Sequence, residues 1–563
     1  MKKYIWIILI GIVILAAVLR LWQLGNIPPS PDWDEVALGY NAYSIMQTGR
    51  DEFGKFIPVV LRSFDDYKPA LYAYLTIPSI LIFGLNTFAV RLPSAIFGII
   101  SVIATYFLAK ELFSNLKLKN SLEIGNWKLE TLALLSAGLM AISPWSIQFS
   151  RVGFESNVGD SFNILTALFF IKGLKKPWML SFAAVFAAFS IYTYQSDKVF
   201  TPLLVLALIL IFWKELFALS KKYLVLALII GSVVISPMVI NILTDKSALL
   251  RVKGTSIFSS QTELLETNIR KLERDKANND KIGSLLDNRR IVYAQTIVSG
   301  YISHFDLNWL FIRGDISRHH APNMGLLYLF ELPFILLGIY FLLFGEFSRK
   351  TKLLIFAWFL LAPVPASITT GVPHAVRTLN FLPTFQILTA LGFVAAAVSV
   401  SKIKYKVLGI RVWKLFIICY FLFAILNFGY YLDQYFVQQN YYNSQDWQYG
   451  YQQAVEEIKS YQDRYREIVV SDKQPMDKSY MFFLFYLKYS PSEYQKVGVN
   501  SSGGFAAHHS FGKYTFRPID WSKDPLRKNV LYIGNPDEIP NEVNTIKTIY
   551  NLDGTPAIRI VGT

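Results

Sequence analysis

The chain has 563 residues, of which 53% are hydrophobic, 15% aromatic and only 17% charged. Ordinary soluble domains carry about 25% charged residues, which argues against a soluble multi-domain enzyme, and the aromatic content excludes a disordered chain. A formal charge of +15 would suit a nucleic-acid partner, but its distribution along the chain points elsewhere.

Residues 4–22 follow Met1-Lys2-Lys3 and lead to no small-residue cleavage site, so they read as a retained first span with its N-terminus in the cytoplasm. Apolar stretches then recur at 89–110, 131–149, 157–171, 178–194, 199–213, 223–241, 325–345, 353–369, 378–399 and 412–430. Several have the roughly 20 residues needed to cross a bilayer. The expectation is an α-helical polytopic membrane protein of about eleven spans, N-terminus inside and C-terminus outside. Twenty Lys and Arg residues then fall inside, near 2–3, 110–128, 172–176, 214–222, 349–352 and 402–414. The three short outer loops hold only Arg151, Lys198 and Arg377. This is the positive-inside asymmetry. With Glu111, Glu123, Glu130, Glu215 and Glu346 also inside, the cytoplasmic side carries the whole excess of +15. The charge is therefore a topology signal, and no nucleic-acid partner is expected. Residues 69–84, short and interrupted by Pro78, read as a helix in the outer interface. The lone cysteine, Cys419, cannot form an intrachain disulfide.

Residues 1–430 thus form the expected membrane domain. It carries an acidic, aromatic first outer loop (23–88) and a long polar outer loop (242–324) whose middle reads as a charged helix. In residues 431–563, β-rich runs (IVVSD, NVLYIG, IKTIYN, AIRIVG) alternate with helical patterns. They predict a small extracytoplasmic α/β domain.

The first outer loop opens with PPSPDWDEVALGYNAY. Asp32, Asp34 and Glu35 sit just beyond the first span, where a carboxylate can act as general base on a hydroxyl. A capping role for a helix starting near Val36 is the competing reading. Asp32-Trp33-Asp34 has the D-x-D spacing of some metal- and nucleotide-sugar-dependent transferases. The loop faces outward, however, where a sugar donor would have to be carried by a lipid. Lys68, Arg91 and Arg377 lie at the outer boundary, suited to a lipid phosphate or to snorkelling. Arg151 and Glu155 have the spacing of an i,i+4 ion pair. Arg313, Asp315, Arg318, His319 and His320 cluster before the eighth span. Adjacent His319 and His320 lack the spacing of a helical metal site, so they are weak metal candidates, and His508 and His509 weaker ones. The sequence holds no nucleotide-binding glycine loop, G-x-S-x-G or H-E-x-x-H, so ATP-driven transport is not expected.

DWDEVALGYNAYSIMQTGRDEFGKFIPV and DYKPALYAYLTIPSILIFGLNTFAVRLPSAIFGIISV resemble the first loop of polytopic GT-C glycosyltransferases. The likeness is to the family-39 type, which includes protein O-mannosyltransferases and lipid A aminoarabinose transferases. SPWSIQFSRVGFE, YTYQSDKVFTP, HFDLNWLFIRGD, GLLYLFELPF and HAVRTLNFLPTFQILTALG extend it, in order, to about residue 430. The resemblance implies an inverting transfer of a hexose or pentose from a polyprenyl-phosphate carrier to an acceptor hydroxyl at the cell membrane, on its extracytoplasmic side. It places the acidic pair on Asp34 and Glu35, with Asp34 as base. The loop lysine falls on Lys68, within Lys-Pro-Ala where the family usually has Lys-Pro-Pro, and further arginines on Arg151 and Arg377. Lys68, Arg91, Arg151, Glu155, Arg313, His374 and Arg377 are the expected phosphate- or substrate-binding set. No cofactor is required, since Lys and Arg can neutralise one phosphate without a metal. The expected partners are the lipid-linked sugar, membrane lipids and a glycan, lipid or protein acceptor. The alternative is a lipid-sugar flippase that breaks no bond.

Overall fold

Each of the eleven apolar stretches contains helix in the computed structural model, although 325–345 is helical only from Glu331; the structure describes residues 2–64, 66–114, 126–245, 254–259, 263–401, 406–407, 410–498 and 509–563. Lys117, Lys119, Lys402, Lys404 and His508 lie outside the described residues. Among the described residues, five helices are long and apolar enough to cross a membrane: Lys3–Leu21, Thr87–Phe113, Lys221–Thr244, Leu379–Val400 and Ile417–Tyr442. The 131–149 stretch, expected as one span, is two helices bent by 55° before Pro144. Proline cannot donate to the helix ladder and clashes with the preceding turn. Counted as one, that pair makes a sixth span. Shorter apolar helices at Leu71–Phe83, Pro177–Ile191 and Glu331–Phe344 accompany them. The protein is a multi-pass membrane protein. Among the described residues, the middle of the long outer loop, expected to be one charged helix, is broken into Glu263–Ala277, Lys281–Leu286 and the start of Arg289–Ser303. The first break falls at Asn279, in the left-handed region with φ 53°, and Asp280 then caps the next helix.

The chain forms two compact units. One comprises residues 1–12, 101–146 and 159–427; the other comprises residues 13–100, 147–158 and 428–563. The second unit therefore combines the first outer loop with the C-terminal region. Its N-terminal elements are α1 (Lys2–Leu21, from Val13 onward), α2 (Trp33–Thr48), the hairpin β1 (Val60–Ser63) and β2 (Asp66–Pro69), α3 (Leu71–Phe83) and the start of α4 (Thr87–Phe113).

Residues 467–562 build a six-stranded mixed sheet from β3 (Glu467–Val470), β4 (His509–Phe511), β5 (Tyr514–Phe516), β6 (Val530–Gly534), β7 (Lys547–Tyr550) and β8 (Pro556–Gly562). The strand order is β4-β5-β3-β6-β8-β7. β3 runs parallel to both β5 and β6, and the remaining pairs are antiparallel. The two central strands are Val/Ile-rich and buried almost throughout, as parallel strands covered on both faces require. Val469, Val530, Tyr532, Ile539 and Val561 form the core on one side. The helix Ser479–Leu487 (SYMFFLFYL), apolar all round and largely buried, packs on α2. Gly39 permits that approach: a Cβ there would stand 2.8 Å from the Phe485 ring and 2.6 Å from Val90. Tyr40 Oη donates to the Tyr489 carbonyl at 3.1 Å. Gln495 donates to Ser44 Oγ, Thr48 Oγ1 and the Asp51 carbonyl at 2.9–3.0 Å.

Candidate functional site

The N-terminus of α2 organises the acidic loop. The helix begins at Trp33, three residues earlier than expected, because Asp32 is its N-cap. Asp32 Oδ1 accepts from the Asp34 N–H at 2.6 Å, and Glu35 Oε2 accepts from the Asp32 N–H at 2.9 Å. That reciprocal arrangement is a capping box. Capping thus takes Asp32 and one oxygen of Glu35, and leaves the Asp34 carboxylate to point elsewhere.

Lys68 answers Asp34. It lies on β2 opposite Leu61 of β1, and its Nζ pairs with Asp34 Oδ1. The lysine side chain is 5% exposed and the aspartate 31%, so the pair is open on the acid's side. Glu155, the first residue of the helix Glu155–Gly173, is buried nearby. Burial pushes its carboxyl up to about 7; the Lys68 charge opposes the rise, and Asp34 and Asp32 add to it. Burial also disfavours the Lys68 ammonium, but Asp34, Glu155 and Asp32 outweigh it and hold its pKa above the usual lysine value. Three acidic side chains thus act on one deeply set cation.

Glu35 and Arg91 form the opposite kind of pair, with both side chains at 0% exposure. Arg91 Nε donates to Glu35 Oε1 at 2.8 Å and Nη2 to Oε2 at 3.0 Å. Its remaining donors serve the Leu24, Pro28 and Ser30 carbonyls at 2.7–3.1 Å. All the donors of the guanidinium fork are occupied, so the expected contact with a lipid phosphate has no donor left to make it. Glu35 Oε1 also accepts from the Gly153 N–H at 2.8 Å. The pair therefore ties α2, α4, the proline-rich entry and the 151–154 loop into one frame.

Arg151 does not pair with Glu155. It donates to the Leu19 and Trp22 carbonyls at the C-terminal end of α1, which lack helical partners, and to the Ile27 carbonyl beyond it, all at 2.7–2.9 Å. Its guanidinium lies 4.8 Å from the Phe436 ring centroid. The i,i+4 expectation assumed continuous helix, whereas the helix Pro144–Ser150 ends just before Arg151.

The first unit contains its own cluster. Asp315 Oδ2 lies 2.9 Å from His319 Nδ1 and accepts from the Ala375 N–H at 2.6 Å. The His374 ring sits 5.1 Å from that of His319, and the His304 ring nitrogen accepts from the His374 N–H at 3.2 Å. One ligand atom from each of Asp315, His319 and His374 lies within 4.8 Å of the others. Two imidazoles and a carboxylate are a donor set suited to zinc or a similar divalent ion. Burial opposes the Asp315 charge, but the hydrogen bond and charge of His319, with His374 and the Ala375 N–H, bring its pKa to about 2. His320, the other metal candidate, stays out of the cluster, its Nδ1 lying against the Ala321 and Met324 carbonyls. Arg313 is exposed. Arg377 donates to Thr369 Oγ1 and the Thr370 carbonyl at 2.6 Å and lines a small cleft with Tyr194 and Gln195.

Two features carried no sequence signal. The Lys478 ammonium lies 4.0 Å from the centroid of Trp33, the residue between the two aspartates. Glu52 and Asn41, eleven residues apart, exchange two hydrogen bonds in a buried position.

Comparison with solved structures fixes the fold. ArnT from Cupriavidus metallidurans in the apo state matches with TM-score 0.54 at 10% identity, over 100% of this chain and 98% of that one. This chain has the GT-C fold. ArnT bound to undecaprenyl phosphate matches equally well, at 12% identity, over 99% and 98% of the two chains. The oligosaccharyltransferase AglB from Archaeoglobus fulgidus, in complex with an inhibitory peptide and a dolichol-phosphate, matches with TM-score 0.51 at 11% identity. That match covers 86% of this chain and 64% of AglB. No protein-family model and no curated protein matches the sequence.

Proposed function

We propose that the protein transfers a single sugar, a hexose or a pentose, from a polyprenyl-phosphate carrier to an acceptor hydroxyl, with inversion, on the extracytoplasmic face of the cell membrane. The observation that carries this reading is the Asp34–Lys68 pair, a half-open carboxylate against a buried ammonium at the end of a rigidly capped helix. The carrier phosphates in the ArnT and AglB structures supply the donor class by analogy of fold. The positive-inside pattern supports eleven spans with the acidic loop outside. In this arrangement residues 1–430 perform the chemistry, and 431–563 cover it and select the acceptor.

The pair suggests an order of events. The incoming lipid phosphate competes with Asp34 for Lys68, and Glu155, placed to share or yield a proton near neutrality, helps balance that exchange. Released from the lysine, Asp34 accepts the proton of the acceptor hydroxyl. The acceptor oxygen bonds to the anomeric carbon as the bond from that carbon to the phosphate oxygen breaks. The carrier phosphate leaves with its charge held by Lys68. Arg91, Arg151 and Glu35 are positioning residues in this scheme. Arg313, His374 and Arg377 are proposed substrate contacts of the other unit.

The test is to supply purified protein in lipid nanodiscs with radiolabelled polyprenyl-phosphate sugar and a crude envelope acceptor fraction. Release of free carrier phosphate together with labelled acceptor is expected. A flippase instead moves intact donor between leaflets of a proteoliposome and releases none, which would overturn the proposal.

A further inference from the structure

The six-stranded sheet carries a cleft that the proposed chemistry does not use. It lies beyond the C-terminal ends of the adjacent parallel strands β3 and β6, where Pro475 and Met476 follow one strand and Asn535 to Asp537 follow the other. Ligands of sheets containing parallel strands collect at that edge. The opposite wall comes from the 445–451 segment and the start of β8. Its volume is about 210 Å³, below the roughly 300 Å³ at which pockets for drug-sized ligands begin and suited to about one ring.

The lining has a particular chemistry. It contains no lysine or arginine, so nothing there answers a phosphate or carboxylate. It offers amides instead. The Asn551 Nδ2 donates to Thr555 Oγ1 at 3.1 Å, and the Oδ1 accepts nothing from the protein although Asn551 is only 7% exposed. The Gln448 Nε2 donates to the Asp446 carbonyl at 3.0 Å, and its buried Oε1 also lacks a partner. Buried acceptors left unsatisfied cost free energy, and both belong to side chains that line the cleft, so a ligand rich in O–H donors is the chemistry that would satisfy them once the amides turn towards it. Asp537 adds an acceptor at the exposed edge, and Tyr449 adds a half-buried aromatic ring. Gln448 is itself held in the left-handed region, φ 47°, an uncommon state for a side chain other than Gly, Asn or Asp and one that clusters at ligand sites. Its carbonyl accepts from Ser30 Oγ at 3.4 Å, and the Ser30 carbonyl in turn accepts from Arg91. The cleft wall is thereby joined to the entry of the acidic loop.

We infer that this cleft binds a neutral, hydroxyl-rich sugar residue, and that the acceptor of the transfer is a glycan. The second half rests on the transferase reading above; the first does not. Amide oxygens take the sugar hydroxyls and Tyr449 covers one face of the ring, while the absence of cationic residues turns away the carrier phosphate.

The test uses the full chain in nanodiscs with mannotriose, maltotriose and arabinotriose as probes, read by saturation-transfer difference NMR. At least one trisaccharide is expected to take up saturation, unchanged by EDTA. Tyr449→Ala and Gln448→Ala should each weaken binding at least fivefold with the melting temperature retained, and Asp34→Asn should leave it intact. Tyr449→Ala should also raise KM for a bound trisaccharide acceptor without lowering kcat. Binding of none of the three, binding that survives both cleft substitutions, binding that requires calcium, or displacement by a Ser/Thr-rich peptide would each overturn the inference. Sugar binding without any carrier release would leave the cleft in place and overturn only the transferase reading.

Discussion

Two acid–base pairs, built from neighbouring residues of α2, occupy contrasting parts of the same frame. Asp34 meets Lys68 at a surface where the acid remains about one-third exposed, whereas Glu35 meets Arg91 in a place from which solvent is absent. The sealed pair has every strong donor and acceptor committed, and it can do nothing but hold. The open pair is held by an ion pair that a competing anion can replace. Burial and hydrogen-bond saturation, rather than residue type, separate the framework from the reagent.

Asp34→Asn attacks the open pair at its reactive end and carries the largest expected effect. Removing a general base costs about 10²–10⁴-fold, so carrier release should fall by that factor, while the melting temperature stays near the parent's and free carrier phosphate, no longer competing with a carboxylate for Lys68, binds at least as tightly. Lys68→Ala should instead weaken binding of the free carrier phosphate, measured by titration. Turnover in Asp34→Asn within threefold of the parent would remove the distinction between the pairs.

Arg91→Met tests the sealed pair. Breaking a buried ion pair by removing one partner costs about 3–5 kcal/mol, and here three backbone carbonyls lose their donor as well. The protein should melt at a markedly lower temperature in detergent, with activity lost in proportion to folded fraction. A variant that stayed fully stable but no longer bound carrier phosphate would return Arg91 to the binding set.

The two pairs differ equally in how far the sequence reveals them. The capping box is written locally, as Asp32-Trp33-Asp34-Glu35, and the apolar runs are long enough to mark helices without tertiary information. The runs IVVSD, NVLYIG, IKTIYN and AIRIVG likewise mark four of the six strands. β4 and β5 escape notice because each is three residues long and the first contains His509 and Ser510. What no pattern could show is where Arg91 spends its donors. Its partners include backbone carbonyls 61–67 residues away, and a carbonyl looks the same under every residue type. Arg151 and Glu155 show the converse. Their spacing suggested a pair, but the helix ends before it can form. For the same reason the cleft beside Gln448 is invisible in sequence: its walls come from segments about 100 residues apart.

Glu52 offers the smallest and most specific test, a second sealed acid in the same loop that lacks a cationic hydrogen-bond partner. Its Oε1 accepts from Asn41 Nδ2 at 3.1 Å and its Oε2 has no hydrogen-bond partner among the described residues. Burial pushes the carboxyl up to about 8; the Asn41 hydrogen bond opposes the rise, Asp51 adds to it and Arg62 opposes it. The folded protein therefore keeps a proton that the unfolded chain, with a carboxyl near 4.5, gives up. Where the folded state binds more protons, stability falls as pH rises. The contribution is complete below about 4.5 and is lost progressively as pH climbs through about 8. Glu52→Gln keeps an amide oxygen for Asn41 and has no proton to lose, so its melting temperature should exceed the parent's at pH 8 and converge with it towards pH 4.5. Glu155 titrates within the same window in both proteins, so the difference between their pH profiles isolates Glu52. Parallel profiles would show that Glu52 is ionised in place, and the loop would then need a cation that the hydrogen bonds to Asn41 do not supply.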